Sequence, residues 1–81
     1  FEDLAIDVDR DRLYASSAHM NIILVFDLHG NRIGTLAPTL PDKLEGPSGL
    51  ALAKDKLLVL NAGSARVSVI PLPPATATRK K

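Results

Sequence analysis

Three aspartates alternate at Asp7, Asp9 and Asp11, the spacing with which a calcium-binding EF-hand loop begins. The pattern then fails. The sixth loop position would be Arg12, where Gly is needed for the bend, and the twelfth would be Ala18, where a bidentate acid is needed. The stretch reads instead as a solvated hairpin turn of alternating Asp and Arg charges. His19 and His29 fall in two different turns, with no acid or further imidazole at ligand spacing, so they read as exposed loop histidines and not as a metal site. Ser16, Ser17, Ser48, Ser64 and Ser68 include no G-x-S-x-G nucleophile elbow. Gly46, Pro47, Ser48 and Gly49 are not a phosphate loop, because no Lys-Ser/Thr pair follows and the proline removes a donor amide. With no cysteine, disulfides and thiolate metal sites are excluded. No catalytic residue, cofactor or metal is therefore expected on this chain.

Charge is unevenly spread. Residues 1–27 carry six acids against two bases, and residues 28–81 carry eight bases against three acids. Three of those bases are Arg79, Lys80 and Lys81, a basic end without interleaved aromatics, so nucleic-acid binding is disfavoured. No apolar run approaches the roughly 18 residues that span a bilayer, and no signal-peptide pattern is present, so no membrane span is expected. A start at Phe1 in place of Met leads us to expect further chain upstream. Without cysteine or an address signal, no compartment is favoured.

The elements that must hold these residues are written twice. LYASSAHMNIILVF, Leu13 to Phe26, returns 44 residues later as LLVLNAGSARVSVI, Leu57 to Ile70. Strands are expected at Asp3 to Val8, Leu13 to Ser16, Ile22 to Phe26 and Arg32 to Leu36, with the clearest turn at Asp27 to Asn31. The five consecutive apolar residues Ile22 to Phe26 predict a strand covered on both faces, with the Phe26 ring packed. Leu50 to Ala53, Leu57 to Leu60 and Arg66 to Ile70 supply three strands of the second copy, and the prolines at 71, 73 and 74 leave it without a fourth. The expected architecture is all-β: a first unit over 1–36, a Pro-rich linker over 37–47, a second unit over 48–70, and a Pro-rich, basic tail over 71–81. Eighty-one residues bury a modest share of their surface, so neighbours are expected to complete the core.

In both copies the residues resemble the NHL repeat, a four-stranded β-propeller blade with the pattern P-x-G-I-A-V, then L-Y-V-A-D-x-x-N-x-R-I-x-V-F-D, then a Gly-containing turn. Leu13, Tyr14, Ile23, Val25, Phe26, Asp27 and Gly30 match it in the first copy, and Pro47, Gly49, Leu50, Ala51, Val59, Arg66, Val67, Val69 and Ile70 in the second. The chain departs from the pattern at Asp3, where the second copy has Gly49, at Ser17 and Asn61, where Asp is usual, and at Ile22, where Arg is usual. These departures argue against a polar network between blades.

The resemblance implies two blades, the second lacking its outer strand, that need further blades from the parent chain or from other copies to close a ring. It also implies that the loops Ser17 to Asn21 and Asn61 to Ala65 gather at one end of the ring, which makes Ser17, His19, Asn21, Asn61 and Ser64 the ligand-facing candidates. Arg66, at a strand start, would bond an acid or carbonyl of an adjacent blade. The function so implied is a non-catalytic binding or scaffold module that holds a protein partner. The alternative is the C-terminal portion of a propeller lyase or lactonase whose catalytic residues lie outside this chain.

Overall fold

The computed structural model describes residues 1–37 and 43–73. Linker positions 38–42 and the tail from 74 onward, with its basic end, lie outside the described residues. Seven strands are formed: β1 (Leu4–Asp7), β2 (Arg12–Ser17), β3 (Ile22–Asp27), β4 (Arg32–Leu36), β5 (Pro47–Ala53), β6 (Lys56–Asn61) and β7 (Arg66–Pro71). The chain is all-β, with an antiparallel four-stranded sheet ordered β1-β2-β3-β4 and an antiparallel three-stranded sheet ordered β5-β6-β7. Among the described residues no helix is long and apolar enough to cross a membrane.

The repeat is exact in the backbone. An offset of 44 carries β2 onto β6 and β3 onto β7, end for end. The joining loops 18–21 and 62–65 are both four residues long, and each ends in a residue with positive φ, Asn21 at 57° and Ala65 at 54°. Loop 8–11 has the same form, with Asp11 at φ 54°. Four-residue hairpin loops are commonly built around a type I turn. A left-handed last residue suits Asn and strains Ala. The corresponding turn of the second unit is shorter, since Ala53 pairs with Lys56 and only Lys54 and Asp55 remain to reverse the chain.

Two strands reach into prolines expected to lie outside them. Pro47 opens β5 opposite Asn61, just before a bulge that ends at Gly49. Pro71 closes β7 opposite Lys56. Both stand at strand termini, where a missing N–H costs the ladder little.

Cross-strand partners share a sheet face, so the registers define which residues line each side. On the first sheet Ala5, Tyr14, Ile23, Val25 and Leu36 face the second sheet; on the second, Leu50, Leu52, Leu57, Val59 and Ile70 face the first. Leu44, from the linker, joins this core at 3% exposure. Ile23, Leu57 and Val59 are fully buried, and each contributes about 1.5–3 kcal/mol of hydrophobic stabilisation.

The two packed faces are not repeat equivalents. Tyr14, Ile23 and Val25 correspond to Leu58, Val67 and Val69, which lie on the outer side of the second sheet. Leu57, Val59 and Ile70 correspond to Leu13, Ala15 and Phe26, on the outer side of the first. The units therefore pack head to tail, front of one against back of the next.

This arrangement corrects the expectation for Ile22 to Phe26. Among the described residues only one face of β3 is covered by another sheet. On the other face Leu24 and Ala15 are screened at the centre of the sheet, Phe26 is only partly buried, and Leu4 and Ile6 at the edge are exposed. A continuous apolar run specified that both sides avoid water, not that both are covered within these residues.

Candidate functional site

The loops expected to face a ligand do meet at one end of the sheets, joined by the segment that enters β5. Gly46 N donates to Asn21 Oδ1 at 2.8 Å, and Glu45 N donates to Asn61 Oδ1 at 2.9 Å. Ala62 N and Gly63 N donate in turn to the carbonyls of Gly46 and Glu45. The backbones run so close that a Cβ on Gly63 would stand 2.9 Å from Glu45 O, and one on Gly46 would stand 3.1 Å from Gly63 N. Gly46 also has φ +67°, so glycine is demanded there by conformation and by space.

Within this loop end the five residues take different roles. Asn61 is 1% exposed, and its amide serves the fold: the oxygen holds Glu45 N and the nitrogen donates to Ser68 Oγ at 2.9 Å. Asn21 is exposed but ties the two units together through Gly46. Ser17 Oγ accepts from Met20 N within its own turn. His19 and Met20 project from the loop tip into solvent. Ser64 Oγ is buried without a hydrogen-bond partner, an acceptor and donor left over at the base of the loop. His29 lies in the β3–β4 turn, away from His19. Among the described residues no three His, Cys, Asp or Glu side chains gather where they could hold a metal ion.

The opposite end holds the polar cluster that sequence reasoning missed. Asp7 and Arg10 were expected in a solvated turn, yet they are 1% and 3% exposed. Arg10 Nη1 pairs with Asp7 Oδ2 at 3.0 Å, and Arg10 N donates to Asp7 Oδ1. The same guanidinium crosses to the second unit: Nη2 meets Asp55, Nη1 donates to Lys54 O at 3.2 Å, and Nε donates to Pro73 O at 2.6 Å. Tyr14 Oη completes the group by donating to Asp7 Oδ2 at 3.2 Å. Burial opposes the Arg10 charge, but its bonds to Asp7 and Asp55 more than offset this and raise its pKa. Burial, followed by the nearby Asp7 charge, pushes the Tyr14 phenol up to about 12.

A third tie between units comes from Asp3. Its Oδ2 accepts from Leu50 N on edge strand β5 at 2.9 Å, and with a second bond from Leu4 N this holds the carboxyl below its ordinary range. Polar ties do therefore cross between the units, made by Asp3, Arg10 and Asn21. A signal was available. Loop 8–11 is two residues longer than turn 54–55, and Arg10 sits in the excess.

Asp27 caps its own turn, accepting from Asn31 N and His29 N at 2.9 Å each and from Asn31 Nδ2 at 3.1 Å. The Asn31 amide above all keeps this carboxyl below the usual range. That arrangement fixes the β3–β4 reversal and leaves no carboxylate oxygen poised for chemistry.

At the loop end the exposed side chains include the His19 imidazole and the Met20 thioether, carried on a braced backbone. The class of structure so defined is a tandem pair of antiparallel sheets stacked head to tail. Compared with family models, curated proteins and solved structures, the chain finds no match.

Proposed function

We propose that this chain is a non-catalytic binding and scaffold segment, two blades of an NHL-like β-propeller, and that it holds a protein partner at the loop end bearing His19 and Met20. The observation that carries this reading is the junction of loops 18–21 and 62–65 through Glu45 and Gly46, which presents two repeat-equivalent loops as one braced surface. Function on such a fold belongs to loops held by a rigid scaffold. The head-to-tail packing of the sheets and the offset that carries two whole strands onto two others support the blade reading.

The test is capture of a partner by the immobilised chain, compared with His19→Ala/Met20→Ala at the loop end and His29→Ala at the opposite end. The reading expects the captured protein to be lost with the first variant and kept with the second. No specific capture, or equal capture by both variants, refutes it.

A further inference from the structure

Among the described residues, each sheet face left uncovered is the repeat image of a face that is covered within the chain. Inside the molecule β5 lies against β1 and β2, so that Leu50 and Leu52 meet the face carrying Ala5 and Tyr14. The images of Leu50 and Leu52 are Leu4 and Ile6, which stand 58% and 62% exposed on the outer side of the first sheet. The image of the receiving face is the outer side of β5 and β6, where Gly49, Ala51, Leu58, Leu60 and Val67 line a shallow, mostly apolar hollow of about 380 Å³ whose lining also includes Asp3. Small residues at 49 and 51 leave the room that two branched side chains would fill.

We infer that this hollow receives Leu4 and Ile6 of a second copy of the chain, the copies stacking by the operation that relates the first unit to the second. The surfaces that meet are different ones, so association is heterologous and adds copies until a ring closes or a filament grows. None of the three polar ties is repeated at this seam. Gly49 stands in the place of Asp3, Ala65 in the place of Asn21, and the two-residue turn at Lys54 and Asp55 has no counterpart of Arg10. The one charge in the hollow's lining, Asp3, is already held by Leu4 N and Leu50 N of its own chain, so apolar contact dominates the seam, which makes association weaker than the seam within the chain and insensitive to salt. This inference rests on the repeat geometry and stands apart from partner capture at the loops.

Sedimentation of the full chain over a range of concentrations tests it, with Val67→Asp blocking one face and Ile6→Asp the other. Both positions are exposed, so both variants keep the wild-type circular dichroism spectrum. The expected result is a wild-type mass that rises with concentration equally at low and high salt, each variant remaining monomeric, and an equimolar mixture of the two forming a one-to-one dimer through the single intact pair of faces. Leu60→Lys and Leu4→Lys, a second pair on the same faces, must reproduce the pattern. A wild-type chain that stays monomeric, association that falls as salt rises, a single variant that assembles like wild type, or a mixture that remains monomeric overturns the inference.

Discussion

Replacing Arg10 with Met keeps most of the side-chain volume and removes the charge that joins the two units. Asp7 is then left 1% exposed, with Tyr14 Oη and the residue-10 amide as its remaining donors. Breaking a buried ion pair from one side costs roughly 3–5 kcal/mol, because the surviving charge is stranded. The Asp55 half of the cluster contributes little to that figure, since its side chain is 49% exposed and water replaces the lost partner. At about 0.05–0.15 kcal/mol per residue, the whole domain is worth only ~4–12 kcal/mol, so Arg10→Met should bring it close to unfolding. Urea denaturation followed by circular dichroism measures this as a lower midpoint with an unchanged slope. Adding Asp7→Asn removes the stranded charge, and the double variant should recover about 1.5–3 kcal/mol relative to the sum of the single changes. A cost under about 1 kcal/mol for Arg10→Met, or additivity in the cycle, would show that Arg10 is not the clamp described.

Ala65 holds a left-handed φ that its repeat partner Asn21 tolerates better, so Ala65→Gly should stabilise the chain by about 1 kcal/mol, read from the urea midpoint. Leu57→Ala should cost about 2–5 kcal/mol, while Phe26→Ala, on the open side of the first sheet, should cost about 1–2 kcal/mol; equal losses would contradict the assignment of faces. The phenol of Tyr14 ionises near 10 when unfolded and at about 12 in the fold. Its contribution is therefore complete below pH 10 and is lost as pH rises from 10 toward 12, which ultraviolet titration of the phenolate checks against the unfolding midpoint. Asp3 and Asp27 act in the opposite direction, since their depressed values give stability that is present above the ordinary carboxylate range and lost as pH falls below it. Asp27→Asn should flatten part of that acid limb.

The strands were legible because their signals are local. Arg32 to Leu36 lies between a turn and a proline-rich stretch and forms β4 over those same residues, and the 44-residue echo placed β6 and β7 to within a residue at each end. That loops 18–21 and 62–65 share an end came from the family resemblance and not from any local signal. What remained hidden depends on juxtaposition. Arg10 finds its partners 44, 45 and 63 residues downstream, a relation that no window of sequence contains. Leu44 looked like linker because prolines flank it, yet its side chain enters the core. Phe26 shows the limit of periodicity, which reports how often a residue turns inward but not whether a partner waits on that side.

The longer first loop also has a consequence for engineering. Swapping the order of the two units would preserve every strand, yet Asp7 and Arg10 would come last, with no second unit to grip. An extended array made by copying residues 1–46 keeps the Asp3 and Asn21 ties at every junction, while Arg10 meets Lys54, Asp55 and Pro73 only where the second unit follows; an array made by copying 47–73 has none of these ties. The first unit is thus the module to multiply, and the second is the one to put at the end.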